Sequence, residues 1–239
     1  MSTVAVVGAG PAGIFAAHEL AGQGHRVILL DMGKPVSERD RENGFDLLHG
    51  MGGAGTFSDG KINFHPQVGG DLYEFMSPGQ AWELIRHIEA IFGAYGVHVM
   101  STSDEATLDL EKRAAKAGVR FLPIRQAHIG SDHLTELMQR LSEDLQRMGV
   151  VFRMNTRVTD VLASDGRARG VVIEGGEQLL ADAVLLAAGR VGSEWTRRVI
   201  ERLGLSVVYN PVDVGVRVEV PAIVMADVID ICYDPKFYV

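Results

Sequence analysis

The sequence predicts an α/β fold: a parallel sheet carrying an inserted antiparallel meander, joined to a second, partial α+β domain. Three features predict it. A valine-rich apolar run at Thr3–Val7 passes straight into a glycine-rich turn and a helical pattern. Apolar and polar residues alternate from Arg157 to Ala183 between two turn signals, Asp165-Gly166 and Gly175-Gly176. A further apolar run after Ala181 ends in Ala187-Ala188-Gly189-Arg190. With 239 residues, of which 46% are hydrophobic and 23% charged, the chain exceeds one average domain and is not of disordered composition.

The elements follow in order. Thr3–Val7 is short, apolar and uninterrupted, the form of a parallel strand buried on both faces. It enters Gly8-Ala9-Gly10-Pro11-Ala12-Gly13, after which Ile14, Phe15, Ala17, His18, Leu20 and Ala21 recur at helical spacing until Gly22 and Gly24. A second strand, Arg26–Leu30, ends at Asp31-Met32, with Asp31 eighteen residues beyond Gly13. That spacing suits a dinucleotide site: Gly8 for the tight turn, Gly10 for close approach to a diphosphate, Gly13 for helix-on-strand packing, and Asp31 for ribose hydroxyls. The helix N-terminus adds unpaired N–H groups and partial positive charge. The alternative is an ordinary strand-to-helix turn.

Four glycines then cluster with Thr56 and Ser58 in Gly52-Gly53-Ala54-Gly55-Thr56-Phe57-Ser58-Asp59-Gly60-Lys61, where exposed N–H and hydroxyl donors suit a diphosphate and a ring edge; a surface loop is the other reading. Residues 67–124 predict two helices, Gly79 to Tyr95 and one from Thr102, whose spacing to Glu105 is that of a capping box. Trp82, His87, Phe92 and Tyr95 there suit a pocket or core packing. Leu134, Leu137, Met138, Leu141, Leu145 and Met148 form an apolar helical stripe, with Ser131 as cap and Gly149 as stop. Val150–Phe152 then reads as a strand. Ser206–Tyr209 and Val214–Val220 alternate as strands of another domain.

These motifs resemble the two-dinucleotide-binding-domain flavoproteins of the glutathione-reductase-like class, whose FAD domain opens with GxGPAG and later carries a strand ending in Ala-x-Gly. The Gly52–Lys61 run, with Gly8–Gly13, Gln126–Asp132, Ala188–Trp195 and Val214–Pro221, is more closely similar to an FAD-dependent dehydrogenase family marked by GGAGTFSDGK. The resemblance implies a Rossmann-like FAD domain over 1–66 and 125–195, with a partial substrate or lid domain over 67–124 and 196–239. It implies FAD held by Gly8, Gly10, Pro11, Ala12, Gly13, Asp31 and Met32. It also implies Gly52, Gly53, Ala54, Gly55, Thr56, Ser58 and Asp59, with Ala188, Gly189 and Arg190, on the flavin side, and the Val158 backbone near adenine. Arg190 is alternatively a surface charge or a substrate clamp.

The class closes its FAD domain with a strand ending in Gly-Asp, and no such motif follows Arg190. The chain therefore reads as an N-terminal half, with an open sheet edge that implies self-association or pairing with the missing half. The partners otherwise expected are a small-molecule substrate or an external electron donor. A non-catalytic flavin-binding fragment and an NAD-dependent dehydrogenase are the alternative functions.

Charge and cysteine content exclude other classes. A net charge of −8 gives no field for nucleic acid, and the lone Cys232 supplies neither an intrachain disulfide nor a dithiol partner. No targeting segment or bilayer-length apolar run is seen, so a cytoplasmic location is expected without membrane association. No zinc-type spacing of histidines occurs, so no metal is expected, and GxSxG is absent. His49 and His65 flank the second glycine cluster and His128 and His133 flank Gly130-Ser131-Asp132, but no catalytic residue is assigned.

Overall fold

The computed structural model describes residues 1–100, 104–208 and 214–239. Along the chain lie β1 (Thr3–Val7), α1 (Pro11–Gly22), β2 (Arg26–Leu30), α2 (Gly44–Leu48), β3 (Lys61–Phe64), α3 (Pro78–Ala94) and α4 (Glu105–Lys116). There follow β4 (Arg120–Leu122), β5 (Arg125–His128), α5 (Ser131–Arg147), β6 (Val151–Arg153), β7 (Val158–Ser164), β8 (Arg167–Ile173) and β9 (Gln178–Leu180). The last elements are β10 (Ala183–Leu186), α6 (Ser193–Arg202), α7 (Ala222–Ile229) and β11 (Lys236–Tyr238). The chain divides into two units, Met1–Gly60 with Gly130–Asn210, and Lys61–Ile129 with Pro211–Val239. Pairing of β3 with β5 draws 61–66 and 125–129 into the second unit, whereas the sequence reading groups them with the cofactor domain.

The first unit is built on a parallel sheet of order β10-β1-β2-β6. Its central strands are buried on both faces, which is why Thr3–Val7 and Arg26–Leu30 read as uninterrupted apolar runs. Ala5, Val7, Ile28 and Leu30 face the meander residues Val158, Val171, Ile173 and Ala181, with Trp195 packed beside them. On the other face a Cβ at Gly13 would lie 3.4 Å from Val6, so α1 rests directly on β1. Each buried valine, leucine or isoleucine of this group contributes about 1.5–3 kcal/mol. The β7–β8 hairpin turns on Asp165 and Gly166, both at positive φ (53° and 69°), the two-residue turn that matches strand twist.

Several expectations are corrected. Gly130, at φ 82°, is the N-cap of α5, with Ser131 already inside the helix. Met148 closes the α5 stripe but is 38% exposed, because it stands at the C-cap beyond the last buried turn. Asp104 caps α4 by accepting the Thr107 N–H at 2.8 Å; Thr102 lies outside the described residues. The strands expected at Ser206–Tyr209 and Val214–Val220 are not formed in the described parts. Val214, Val216 and Val218 are 94%, 89% and 74% exposed, for alternation makes a strand only where a neighbour supplies the ladder. Tyr209 lies outside the described residues. The apolar segment after Pro221 folds as α7 instead.

In the second unit, Leu110, Ala114 and Phe121 form a small core with Val228, Ile231 and Cys232 against it. Among the described residues no helix is long and apolar enough to cross a membrane.

Candidate functional site

Val7 pairs in register with both Leu30 and Leu186, so β1, β2 and β10 end side by side. The turns that follow, beginning at Gly8, Asp31 and Ala187, therefore gather at the carboxyl ends of the strands, where open α/β sheets bind ligands. The three glycines of the first turn have different surroundings. Gly8 has φ 111°, and a Cβ there would sit 2.3 Å from the Ala187 carbonyl oxygen. A Cβ at Gly13 would sit 1.8 Å from the Gly8 oxygen. Gly10, at φ −76°, has nothing within 4 Å of its Cβ direction. Protein atoms thus forbid a side chain at Gly8 and Gly13, while the space above Gly10 is open. That is the cradle a dinucleotide diphosphate requires, and the residues fit such a group.

Pro11 opens α1 at a position where no N–H is needed, and the first turn carries no acidic residue to neutralise the helix terminus. The Ile14 N–H closes on the Gly10 carbonyl at 3.0 Å, while Ala12 and Gly13 stand in the first turn, whose donors have no intrahelical acceptor.

Asp31 ties three segments together. Its Oδ2 accepts the Ala9 N–H at 2.8 Å, and Oδ1 accepts the N–H groups of Gly33 at 2.8 Å and Gly50 at 2.9 Å. A carboxylate has about four lone-pair sites, so one remains on Oδ2. The second glycine cluster is drawn onto the first: Gly52 donates to the Ala9 carbonyl at 2.8 Å, and a Cβ at Gly53 would lie 3.1 Å from Gly10 Cα.

Gly53–Phe57 is a 3-10 turn. Ala54, Gly55, Ser58 and Asp59 are exposed on it or just after it. Thr56 departs from expectation. Its side chain is buried, and Oγ1 accepts from Arg39 at 2.8 Å while donating to the Met51 carbonyl at 3.3 Å, so it offers no exposed donor. The Ser58 hydroxyl remains exposed and donates to the Gly55 carbonyl at 2.8 Å.

The residues that organise this turn were not singled out from sequence. Arg39, 9% exposed, donates to the carbonyls of Asp46, Met51 and Gly53 and to Thr56. Asp46, 1% exposed, pairs through Oδ2 with Lys34 at 2.7 Å and accepts the Asp40 N–H at 2.9 Å. The Lys34 ammonium holds the Asp46 carboxyl below the usual carboxylate range, and burial pulls the Arg39 guanidinium down from its ordinary value. Within a stretch as charged as Ser37–Glu42, Arg39 reads as surface. The available signal is its spacing of three from Val36, also buried, at the start of the 3-10 turn Val36–Glu38 that Arg39 closes as C-cap.

Val158 points into the core, but the backbone just before it crosses the end of β2: Thr156 donates to the Asp31 carbonyl and Asn155 to that of Gly33, each at 2.8 Å. Met32 is half-buried in the adjoining turn. Ala188 is fixed by Gly192, whose N–H bonds its carbonyl at 3.1 Å, while Gly189 (φ 62°) and Arg190 are exposed.

The histidines and the insertion aromatics take separate positions. His49 stacks on Phe45 at 4.1 Å. His128 stacks on Tyr233 at 4.7 Å, and His133 is exposed. His65 is buried edge-on to Trp82, and burial holds its pKa below the ordinary value. Phe92 packs against Phe64, whereas Trp82 lines a cleft of about 510 Å³ with Arg86, Glu89 and Arg125. Burial pushes the Cys232 thiol up, away from thiolate chemistry.

Comparison with known proteins places this geometry in a family. The chain is 31% identical over 190 residues to a D-amino acid dehydrogenase of Bradyrhizobium diazoefficiens, covering 78% of this chain and 41% of that protein. It is 28% identical over 227 residues to an uncharacterized protein of Clostridium beijerinckii, covering 90% of this chain and 36% of that one. The chain thus spans less than half the length of these curated relatives. An L-amino acid deaminase structure from Proteus myxofaciens, in complex with anthranilate, shares the fold at a TM-score of 0.53 and 17% identity, over 86% of this chain and 48% of that one. Residues 3–229 match the family described as FAD dependent oxidoreductase. On that match over nearly its whole length, the chain belongs to the FAD dependent oxidoreductase family.

Proposed function

We propose that this chain is the N-terminal, cofactor-holding part of an FAD-dependent dehydrogenase, grouped with the glutathione-reductase-like flavoproteins. The observation that carries the cofactor half of this reading is the contrast between blocked Gly8 and Gly13 and open Gly10, beside the one remaining acceptor site on Asp31. When bound, FAD supplies two-electron acceptance from an organic substrate. The chain's own residues bind and orient. The first turn of α1 and the main chain at Gly10 hold the diphosphate, and Asp31 Oδ2 accepts from a ribose hydroxyl. The backbone at 156–158 lies toward the adenine, and Met32 closes that end. Gly52–Asp59 and Ala188–Arg190 form the flavin side, where main-chain N–H groups orient the ring edge. The family match favours FAD over the nicotinamide alternative, which finds no support.

The substrate is a small organic molecule, and the 31% identity to a D-amino acid dehydrogenase makes D-amino acids the first class to test. Among the described residues β10 pairs only with β1, and we infer that its other edge receives a strand from a second copy or from the remainder of a longer protein. The test is titration of the purified chain with FAD, followed by anaerobic addition of D-amino acids. Saturable uptake that bleaches on substrate addition is expected of a dehydrogenase. Uptake without bleaching by any substrate points to a non-catalytic flavin-binding piece, and a folded chain that takes up no FAD refutes the reading.

A further inference from the structure

The Arg39 side chain uses every donor it has. A guanidinium carries five N–H groups in a rigid fork, and five contacts are present. Nε and Nη2 reach the Asp46 carbonyl at 3.0 and 2.6 Å, and Nη1 reaches the Met51 carbonyl at 2.5 Å and Thr56 Oγ1 at 2.8 Å. Nη2 also reaches the Gly53 carbonyl at 2.9 Å. The guanidinium carbon lies over the Phe57 ring, 4.7 Å from its centre. None of these partners is a carboxylate, which is unusual for a buried charge, since such a charge ordinarily takes an ion pair. The adjacent carboxylate, Asp46, is instead paired with Lys34. Three of the acceptors, Met51, Gly53 and Thr56, belong to the loop that packs on Gly10; of its own side chains, Met51 and Thr56 are buried, and Thr56 Oγ1 adds one bond to the Met51 carbonyl, while the glycines between them contribute main chain alone.

We propose that Arg39 is the positioning residue of the cofactor cradle: its fork fixes the 51–56 main chain against Gly10, so the second glycine cluster is already shaped when the dinucleotide arrives. The assignment rests on the FAD reading above and adds a residue to it that does not touch the cofactor. Its physical basis is preorganisation, because a loop ordered beforehand costs less to order on binding. A lysine at this position keeps the charge but offers a single point of attachment in place of the fork.

The test compares the wild-type chain with Arg39→Lys, Arg39→Met and Thr56→Val. Two quantities are read: hydrogen exchange at the amides of 50–57 in the cofactor-free chain, and FAD affinity by flavin fluorescence. Arg39→Lys and Arg39→Met are expected to speed exchange at 50–57 while β1 and β2 stay protected. Both are expected to weaken FAD binding by about tenfold or more, from the acceptors left unpaired. Thr56→Val, which removes the acceptor for Arg39 together with the hydroxyl's own longer bond to the Met51 carbonyl at little change of shape, moves both readouts in the same direction by less. At saturating FAD the visible circular dichroism of the flavin changes in Arg39→Lys, a readout that a general loss of stability leaves alone. Wild-type affinity and exchange in Arg39→Lys overturn the assignment. Should the Arg39 variants not fold, unchanged exchange and affinity in Thr56→Val overturn it equally. A wild-type chain that takes up no FAD overturns the cofactor reading and the affinity half of this assignment, while the exchange pattern still decides the positioning half.

Discussion

Replacing Asp31 by alanine removes the acceptor that joins three main-chain segments. The N–H groups concerned belong to Ala9, Gly33 and Gly50, all buried, and their bonds to the carboxylate measure 2.8, 2.8 and 2.9 Å. A hydrogen bond to a charged group contributes about 1.5–3 kcal/mol, and three bonds to one carboxylate do not add in full. The expected loss is therefore about 3–5 kcal/mol, a large share of the 5–15 kcal/mol that holds an ordinary domain. It should be measured on the cofactor-free chain, so that lost binding does not enter. The two tryptophans, Trp82 and Trp195, fall in different units. In a Trp82→Phe background, urea unfolding followed by tryptophan fluorescence thus reports on the first unit through Trp195. Asp31→Asn keeps an oxygen for Gly33 and Gly50 but turns an amide toward the Ala9 donor, so an intermediate loss is expected. An unfolding free energy for Asp31→Ala within about 0.5 kcal/mol of the parent, the scatter of ordinary surface substitutions, would refute the tie.

Gly10→Ala should leave the stability of the cofactor-free chain nearly unchanged, since its φ is ordinary and its Cβ direction open, yet lower FAD affinity at least about tenfold by filling the cradle; calorimetric melting and FAD titration check the two halves. Gly13→Ala, with a Cβ 1.8 Å from the Gly8 oxygen, should cost about 3 kcal/mol or more without any cofactor, because main chain must move, and urea unfolding reads it. The Asp46 carboxyl is held below its ordinary 3.8 by Lys34, so the pair's stabilisation is complete above that pH and fades as the pH falls through the lower folded value. The advantage of wild type over Lys34→Met in acid unfolding should accordingly be full near neutrality and vanish in strong acid; an advantage that grows below pH 3.8 contradicts the ion pair. Trp195→Phe should cost about 1 kcal/mol through loss of the 2.8 Å bond from the indole N–H to the Thr159 carbonyl, read by thermal melting.

The first strand, turn, helix and second strand were legible because their signals are local: strand periodicity, a glycine turn and an acid at fixed spacing all lie within Thr3–Asp31. The meander was legible for the same reason, through the turn residues Asp165-Gly166 and Gly175-Gly176. Long-range pairing was not. Val214–Val220 has the alternation of a strand, but no described strand pairs with it, and the pattern states what a strand could bury without stating that a partner exists. The support under the second glycine cluster was hidden differently. Arg39, Lys34 and Asp46 belong to a segment whose charges resemble a solvated face, and only the closed loop shows that Arg39 and Asp46 turn inward. Thr56 likewise has the composition of an open donor and the position of a buried acceptor.

The central claim is that the Gly8–Gly13 turn, Asp31 and the Gly52–Asp59 loop form one FAD cradle within the first unit. Equilibrium titration of FAD into the purified chain and into Gly10→Ala, each first shown to melt at the same temperature, tests it most directly. The account predicts saturable uptake of one FAD per chain, weakened at least about tenfold by the added methyl group. Equal binding by the two proteins, or none by a well-folded wild-type chain, would contradict it.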